Sequence, residues 1–347
     1  MKSASPTILL VNPWIYDFAA YDFWNKPLGL LSIGGVLQAL GYDVRLLDCM
    51  DRSQTSALLP MPVKPDGTGK YPRKQIEKPA ALAEVPRHYC RYGLSLEMVA
   101  QKLADLPPPQ VILLTSFMTY WYPAVQDMVR LLRDRFPHAQ IMLGGIYATL
   151  CAEHARQHVQ PDRLIEGEGE IMAVRQVAAW TGGPGRDFSY QALDELPLTP
   201  WQLYPELHSA ALMTSRGCPF RCSYCASRLL SAGFRRRSLA HITLELDLLA
   251  ARQVRHIAFF DDALLHKAAE HSKPLLRQII QKGYEFAFHT PNGLHISDID
   301  QEMAELMYGS GFQSIRLSFE SADPARQQNK VNRSEEHTSE LQSPNTI

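Results

Sequence analysis

An excess of charge is missing from this sequence. Thirty-five lysines and arginines stand against 36 aspartates and glutamates in 347 residues, so bulk composition offers no attraction to a polyanion or an anionic membrane surface. Long apolar runs are missing too. The longest, about Val111 to Met118, falls well short of the ~18 residues of a membrane span, and the strand-like Ile8–Val11 follows the N-terminus with no leader-like stretch before it. These absences predict a soluble, cytoplasmic protein and lend no support to nucleic acid or membrane as a partner. No internal repeat of short fixed period is visible either.

Cysteine is scarce, with six in the chain, yet Cys218, Cys222 and Cys225 fall within eight residues while Cys49, Cys90 and Cys151 stand far apart. A disulfide framework would scatter them all. Clustered thiols in a chain without a secretion signal more often bind metal or do redox chemistry. The spacing C-x3-C-x2-C matches neither of the common ferredoxin runs and supplies three thiolates rather than four. One iron of a cluster held this way keeps an open position, as a catalytic metal needs. A structural zinc site would want a fourth ligand, and the next histidine downstream, His241, lies sixteen residues beyond Cys225. A zinc-stabilised binding protein is therefore the rival reading.

Apolar runs at Ile8–Val11, Val44–Leu47, Val111–Thr115 and Ile141–Leu143 read as short strands buried on both faces, the mark of a parallel sheet. Between them, Leu30, Ile33, Leu37 and Leu40 recur at helical spacing before Gly41, as do Val125, Met128, Val129 and Leu132 before Pro137. Strands alternating with helices predict an α/β fold, with a Rossmann-like doubly wound domain over residues 1–170. Residues 52–105, rich in proline and glycine from Pro60 to Pro79, read as an insertion in it. Residues 171–209, with Gly182-Gly183-Pro184-Gly185, read as a linker. Alternation then returns, with strands expected at Ala210–Thr214, Arg255–Phe260, Glu285–His289 and Ser314–Phe319 and helices near 238–252, 267–282 and 298–309. Four strand-helix steps over 210–332 suit a truncated partial (β/α) barrel of TIM type, with its chemistry at the C-terminal ends of the strands.

From Arg333 to Ser343 the chain resembles the in-frame translation of a common sequencing-library adapter, with Pro344–Thr346 covering index bases and Ile347 resuming the fixed sequence. The plainer reading is a polar, disordered tail. Either keeps residues 333–347 out of the fold, and the first implies that the natural sequence continues and that the barrel stops partway.

With its cysteine triad placed after the first barrel strand, the chain resembles the radical SAM superfamily. That resemblance implies a [4Fe-4S] cluster on Cys218, Cys222 and Cys225, with S-adenosylmethionine chelated to the open iron through its amino and carboxylate groups. It also implies reductive cleavage to a 5′-deoxyadenosyl radical, and an electron donor such as flavodoxin or ferredoxin. Carried further, it implies Tyr224 near the adenine, Asp261 and Asp262 near the methionyl amino group, and Ser318 and Glu320 at the ribose. Many relatives place Gly-Gly-Glu where this chain has Asp261-Asp262, and a helix N-cap pair is the plainer reading there. His289 and Asn292, at the mouth of the third strand, suit either a ligand contact or an ordinary turn.

Pro27-Leu28-Gly29-Leu30, Leu143-Gly144-Gly145 and Gly167-Glu168-Gly169-Glu170 resemble the cobalamin-binding domain of B12-dependent radical SAM proteins. The resemblance implies cobalamin near Gly144, Gly145 and Tyr120. No Asp-x-His-x-x-Gly occurs, so no histidine of that motif is present to ligate cobalt from below. The expected activity is cobalamin-dependent methyl transfer or radical rearrangement on an unknown small-molecule or peptide substrate. The alternative is a radical SAM enzyme whose N-terminal domain is only a scaffold or a substrate-binding module.

Overall fold

A computed structural model describes residues 5–54, 64–187, 189, 191–319, 321 and 323. They divide into two compact units. The first runs to the 190 region and takes in Glu195–His208; the second holds Gln191–Asp194 and the chain from Ser209 onward. Among the described residues no helix is long and apolar enough to cross a membrane.

In the first unit, β1 (Thr7–Asn12), β2 (Asp43–Asp48), β3 (Val111–Ser116), β4 (Gln140–Gly145) and β5 (Arg163–Leu164) form one parallel sheet in the order β5-β4-β3-β1-β2. The unbroken apolar runs follow from burial on both faces, with Ile8, Leu9, Leu10, Val11, Val111 and Ile112 all sealed from water. Helices α1 (Leu28–Ala39), α2 (Leu96–Ala104), α3 (Tyr122–Arg135), α4 (Ile146–Leu150), α5 (Ala152–His158) and α6 (Glu170–Thr181) accompany the strands. Strand order turns back between β1 and β3, and in such sheets the crevice beyond the carboxyl ends at that point is where ligands bind.

The expected insertion is shorter than its prolines suggested. Helix α2, started by the Ser95 hydroxyl accepting from the Met98 amide, is the sheet's own crossover from β2 to β3. Before it, Cys90–Tyr92 pairs antiparallel with both Ile15–Asp17 and Arg73–Gln75, over a small core of Met50, Tyr71, Cys90 and Tyr92. The expected linker is also largely built in. Helix α6 fills its first part and packs on α1, Tyr42 donates to the Pro184 carbonyl at 2.9 Å, and Tyr204 donates to Asp48 at 2.6 Å.

In the second unit, β6 (Ser209–Leu212), β7 (His256–Phe259), β8 (Ala287–His289) and β9 (Phe312–Ser314) run parallel in that order. Helices α7 (Ser227–Leu230), α8 (Leu239–Ala251), α9 (Ser272–Lys282) and α10 (Gln301–Ser310) connect them. Ser238 and Asp300 cap α8 and α10, and Gly283 and Gly311 end α9 and α10 in the left-handed conformation. Strand alternation stacks Phe259, Phe288 and Phe312 together. The expected fourth strand is drawn differently. Phe312–Ser314 joins the sheet, whereas Leu317–Ser318 pairs with Leu294–His295 in a separate two-strand piece. The cause is a register break at Phe288 and His289, after which the Thr290 hydroxyl accepts the Arg316 amide and turns the chain out of line.

Candidate functional site

The cysteines ride on a loop closed at its base. Ser215–Arg216 pairs antiparallel with Arg235–Arg236, so residues 217–234 leave and return through a two-residue stem. Gly217 makes this closure possible: its φ is +76°, and a Cβ there would run into the Gly233 backbone. Buried Arg235 fastens the return limb by donating to the Gly233 carbonyl at 3.1 Å and the Ser231 hydroxyl at 2.9 Å.

Within the loop Cys222 is buried, Cys218 half-buried and Cys225 exposed, and all three are free thiols. The Cys225 amide donates to the Cys222 carbonyl at 3.1 Å, a tight turn that brings the last two cysteines round. Burial pushes the Cys218 thiol up, and the charges of Asp262, Cys222 and Cys225 add to that rise. A cavity of about 480 Å³ lies beside it, lined by Cys218, Arg221, Ser227, Arg228 and Gly233 among others. Among the described residues no three His, Cys, Asp or Glu side chains gather closely enough round one point to hold a single ion. A cuboidal cluster asks for a different arrangement, because each thiolate binds an iron of its own.

Asp261 and Asp262, adjacent in sequence, have opposite surroundings. Asp261 is buried and accepts from the Thr214 amide at 3.0 Å and hydroxyl at 2.7 Å, and from the Ser215 amide and hydroxyl, both at 2.6 Å. Burial still pushes its carboxyl up, against the pull of those donors. The structure thus places Asp261 on the stem of the cysteine loop, with its oxygens already engaged. Asp262 lies on the exposed side, its carboxyl pushed up by local desolvation and by Asp261 beside it. Neither is an N-cap of the helices that follow.

Tyr224 is 59% exposed on the cysteine loop. Ser318 is half-buried against Gly293, where a Cβ would meet its hydroxyl; Glu320 lies outside the described residues. His289 is fully buried between His256 Nδ1 at 3.1 Å and the Ser314 hydroxyl at 2.8 Å. Asn292 donates to the Phe260 carbonyl at 2.9 Å and so ties the third strand's mouth to the second's. Sequence reasoning missed Thr214, Ser215 and Arg235; the basic run Arg235–Arg237 directly after the loop was the available signal.

At the carboxyl ends of the first sheet, Asn12 donates to Asp48 at 2.7 Å, the Met50 amide donates to the same oxygen at 2.9 Å, and Tyr204 takes the other. Lys26 lies 3.9 Å from Asp51 and 4.5 Å from the centre of the Tyr204 ring. Gly145 sits at φ +98°, and a side chain there would also collide with the Ser116 backbone, while Gly144 has ordinary space around it. Beyond β3, Phe117, Met118 and Tyr120 are exposed, with Trp121 anchored beneath them through a 2.8 Å bond to Asp17.

The sequence profile of the Radical SAM superfamily matches residues 212–340. Over 90% of its length the chain is 23% identical to cytidylyl-2-hydroxyethylphosphonate methyltransferase of Streptomyces wedmorensis, of which it covers 65%. Over 61% of its length it is 26% identical to the anaerobic magnesium-protoporphyrin IX monomethyl ester cyclase of a Synechocystis strain, covering 40% of that protein. In fold it is similar to the radical S-adenosylmethionine methyltransferase TsrM of Kitasatospora setae, solved with cobalamin and a [4Fe-4S] cluster bound. There the TM-score is 0.64 and the identity 16%, with 96% of this chain and 64% of that one covered. The chain spans less than two thirds of the length of each of these relatives.

Proposed function

We propose, from the premise that the chain belongs to the radical SAM superfamily, that Cys218, Cys222 and Cys225 hold a [4Fe-4S] cluster that cleaves S-adenosylmethionine reductively. With cobalamin at the first unit, the reaction is methyl transfer to an unactivated carbon or a related radical rearrangement, on a small molecule or peptide. The observation that carries this is the loop itself: three free thiols within eight residues of one loop, clamped at a paired stem. When bound, the cluster and cobalamin supply one-electron chemistry and methyl carriage.

The chain's own residues position and shield. Asp261 holds Thr214 and Ser215, and hence the loop's first limb, in one place. Asp262 and Tyr224 stand on the exposed side, where a carboxylate suits an ammonium group and a ring suits a purine. Phe117, Met118 and Tyr120 offer an apolar rest for the face of a flat macrocycle at the carboxyl ends of the first sheet. We read the second unit as part of a (β/α) barrel and the first as a Rossmann-like cobalamin domain. The self-contained Asn12–Asp48–Tyr204 network favours a second reading of the first unit, as a scaffold that binds no corrin.

Anaerobic reconstitution with iron and sulfide tests the proposal. A charge-transfer band and 5′-deoxyadenosine formation are expected, both lost in Cys222→Ala. Stoichiometric zinc with no cleavage of S-adenosylmethionine would overturn it. Growth with cobalamin separates the two readings of the first unit, because a corrin spectrum that fails to co-purify supports the scaffold.

A further inference from the structure

Phe220 lies between Cys218 and Cys222, and it is held from two sides. The His295 ring stacks on it at 4.2 Å between centroids and 24° between planes. His266 meets it edge-on at 5.7 Å and meets Phe234, on the return limb of the same loop, at 5.1 Å. Arg236 of the stem lies over Phe234 at 5.1 Å, donates to the His266 carbonyl, and pairs with Glu270 at 3.2 Å. The other side of the stack leads elsewhere. His295 pairs in register with Ser318, and Gly293 leaves room for the Ser318 hydroxyl.

We infer that the His295–Phe220–His266 stack is a positioning device that couples the strand pair carrying Ser318 to the spacing of Cys218 and Cys222. The inference rests on the reading of the loop as a cluster site. Phe220 stands two residues from each of Cys218 and Cys222, so a ring held from two sides anchors the backbone between the two thiols. His295 is paired in register with Ser318, so the strand pair that carries that hydroxyl also carries the ring stacked on Phe220. A ligand that engages Ser318 is therefore felt at the cluster through one ring face. Both histidines act through Phe220 and are positioning residues rather than catalytic ones.

The test uses the full chain and three variants, Phe220→Leu, His295→Ala and His295→Phe. Limited trypsin digestion of the iron-free proteins reads the loop directly, because Arg221 and Arg228 are exposed within it. Phe220→Leu and His295→Ala are expected to speed cleavage at these two sites by about tenfold, the ratio that one aromatic contact carries. His295→Phe, which keeps a ring on Phe220, should cleave at the unmodified rate. After anaerobic reconstitution and reduction, the paramagnetic resonance signal is titrated with S-adenosylmethionine. Half-maximal change should need about tenfold more ligand in the first two variants and the usual amount in His295→Phe. Unchanged digestion in His295→Ala would overturn the inference, as would His295→Phe failing as badly as His295→Ala. Loss of the circular dichroism spectrum in His295→Ala would make that histidine merely structural and overturn it equally. If the unmodified chain takes up no iron, the cluster reading falls, and digestion alone still decides whether the stack holds the loop.

Discussion

The two parallel sheets finish their carboxyl ends in different ways. In the first, Asn12 and Tyr204 satisfy Asp48 while Ser53 and Gln54 satisfy Asp51 beside Lys26, and what faces outward is apolar: Phe117, Met118 and Tyr120. In the second, Asp261 is consumed internally so that Cys225, Tyr224 and Asp262 remain exposed. Similar backbone architecture thus yields one end suited to shape and contact and another suited to coordination and charge. Buried carboxylates support both, and the difference lies in what each support leaves at the surface.

The comparison can be broken at several points. Asp261→Asn should have the largest effect, because its N–H2 must face the Thr214 amide even when its carbonyl oxygen keeps the other donors, and the charge that strengthens all of these bonds is gone; a loss of about 3 kcal/mol in urea unfolding is expected. An unchanged midpoint would mean that the loop does not depend on the closed carboxylate. Next, Gly145→Ala should cost about 2 kcal/mol by the same measurement, from the left-handed backbone and the collision with Ser116. Gly144→Ala, a control with ordinary space, should be close to neutral.

His271 gives a pH-dependent probe of the second unit. It is 5% exposed, and burial, with Arg236 nearby, lowers its pKa from 6.5 to about 4. The unfolded chain therefore binds the proton more readily than the folded one. Stability from this group is complete above about pH 6.5 and is lost as pH falls toward 4. Relative to His271→Leu, the chain should lose about 2 kcal/mol of stability between pH 7 and pH 4.5 in melting curves; a difference that does not change with pH would exclude the histidine. Smallest of all, Tyr120→Ala should change stability by less than about 0.5 kcal/mol. If it weakens corrin retention, the apolar end is a binding surface; if retention is unaltered, the first sheet's finish is only a finish.

The cysteine triad and the order of strands and helices were legible because both are local: one is a spacing within eight residues, the other a run of apolar side chains. Asp261 was picked out for its place at a strand end, but its role was hidden, since its partners lie 46 and 47 residues away. Helix α6 was lost in a linker because the glycines after Thr181 outweighed the periodicity before it. Helix α2 was lost in an insertion for the same reason, with prolines in place of glycines. The fourth strand was misdrawn because Ser314–Phe319 alternates plausibly, while the register break that divides it depends on contacts with Thr290. The stack on Phe220 joins rings 75 residues apart in sequence and left no local trace.

The two-residue stem also bears on how the protein would age and recover. Eighteen residues are gathered into a ring by pairing that uses no metal, so most of the entropy of bringing the cysteines together is lost when the chain folds, before any iron arrives. Small metal-built domains behave otherwise, and unravel when their ion is removed. Here oxidative damage would empty a pocket that keeps its outline. Removal of iron with a chelator should leave the circular dichroism spectrum nearly unchanged, and refilling should follow the supply of iron and sulfide rather than the pace of refolding.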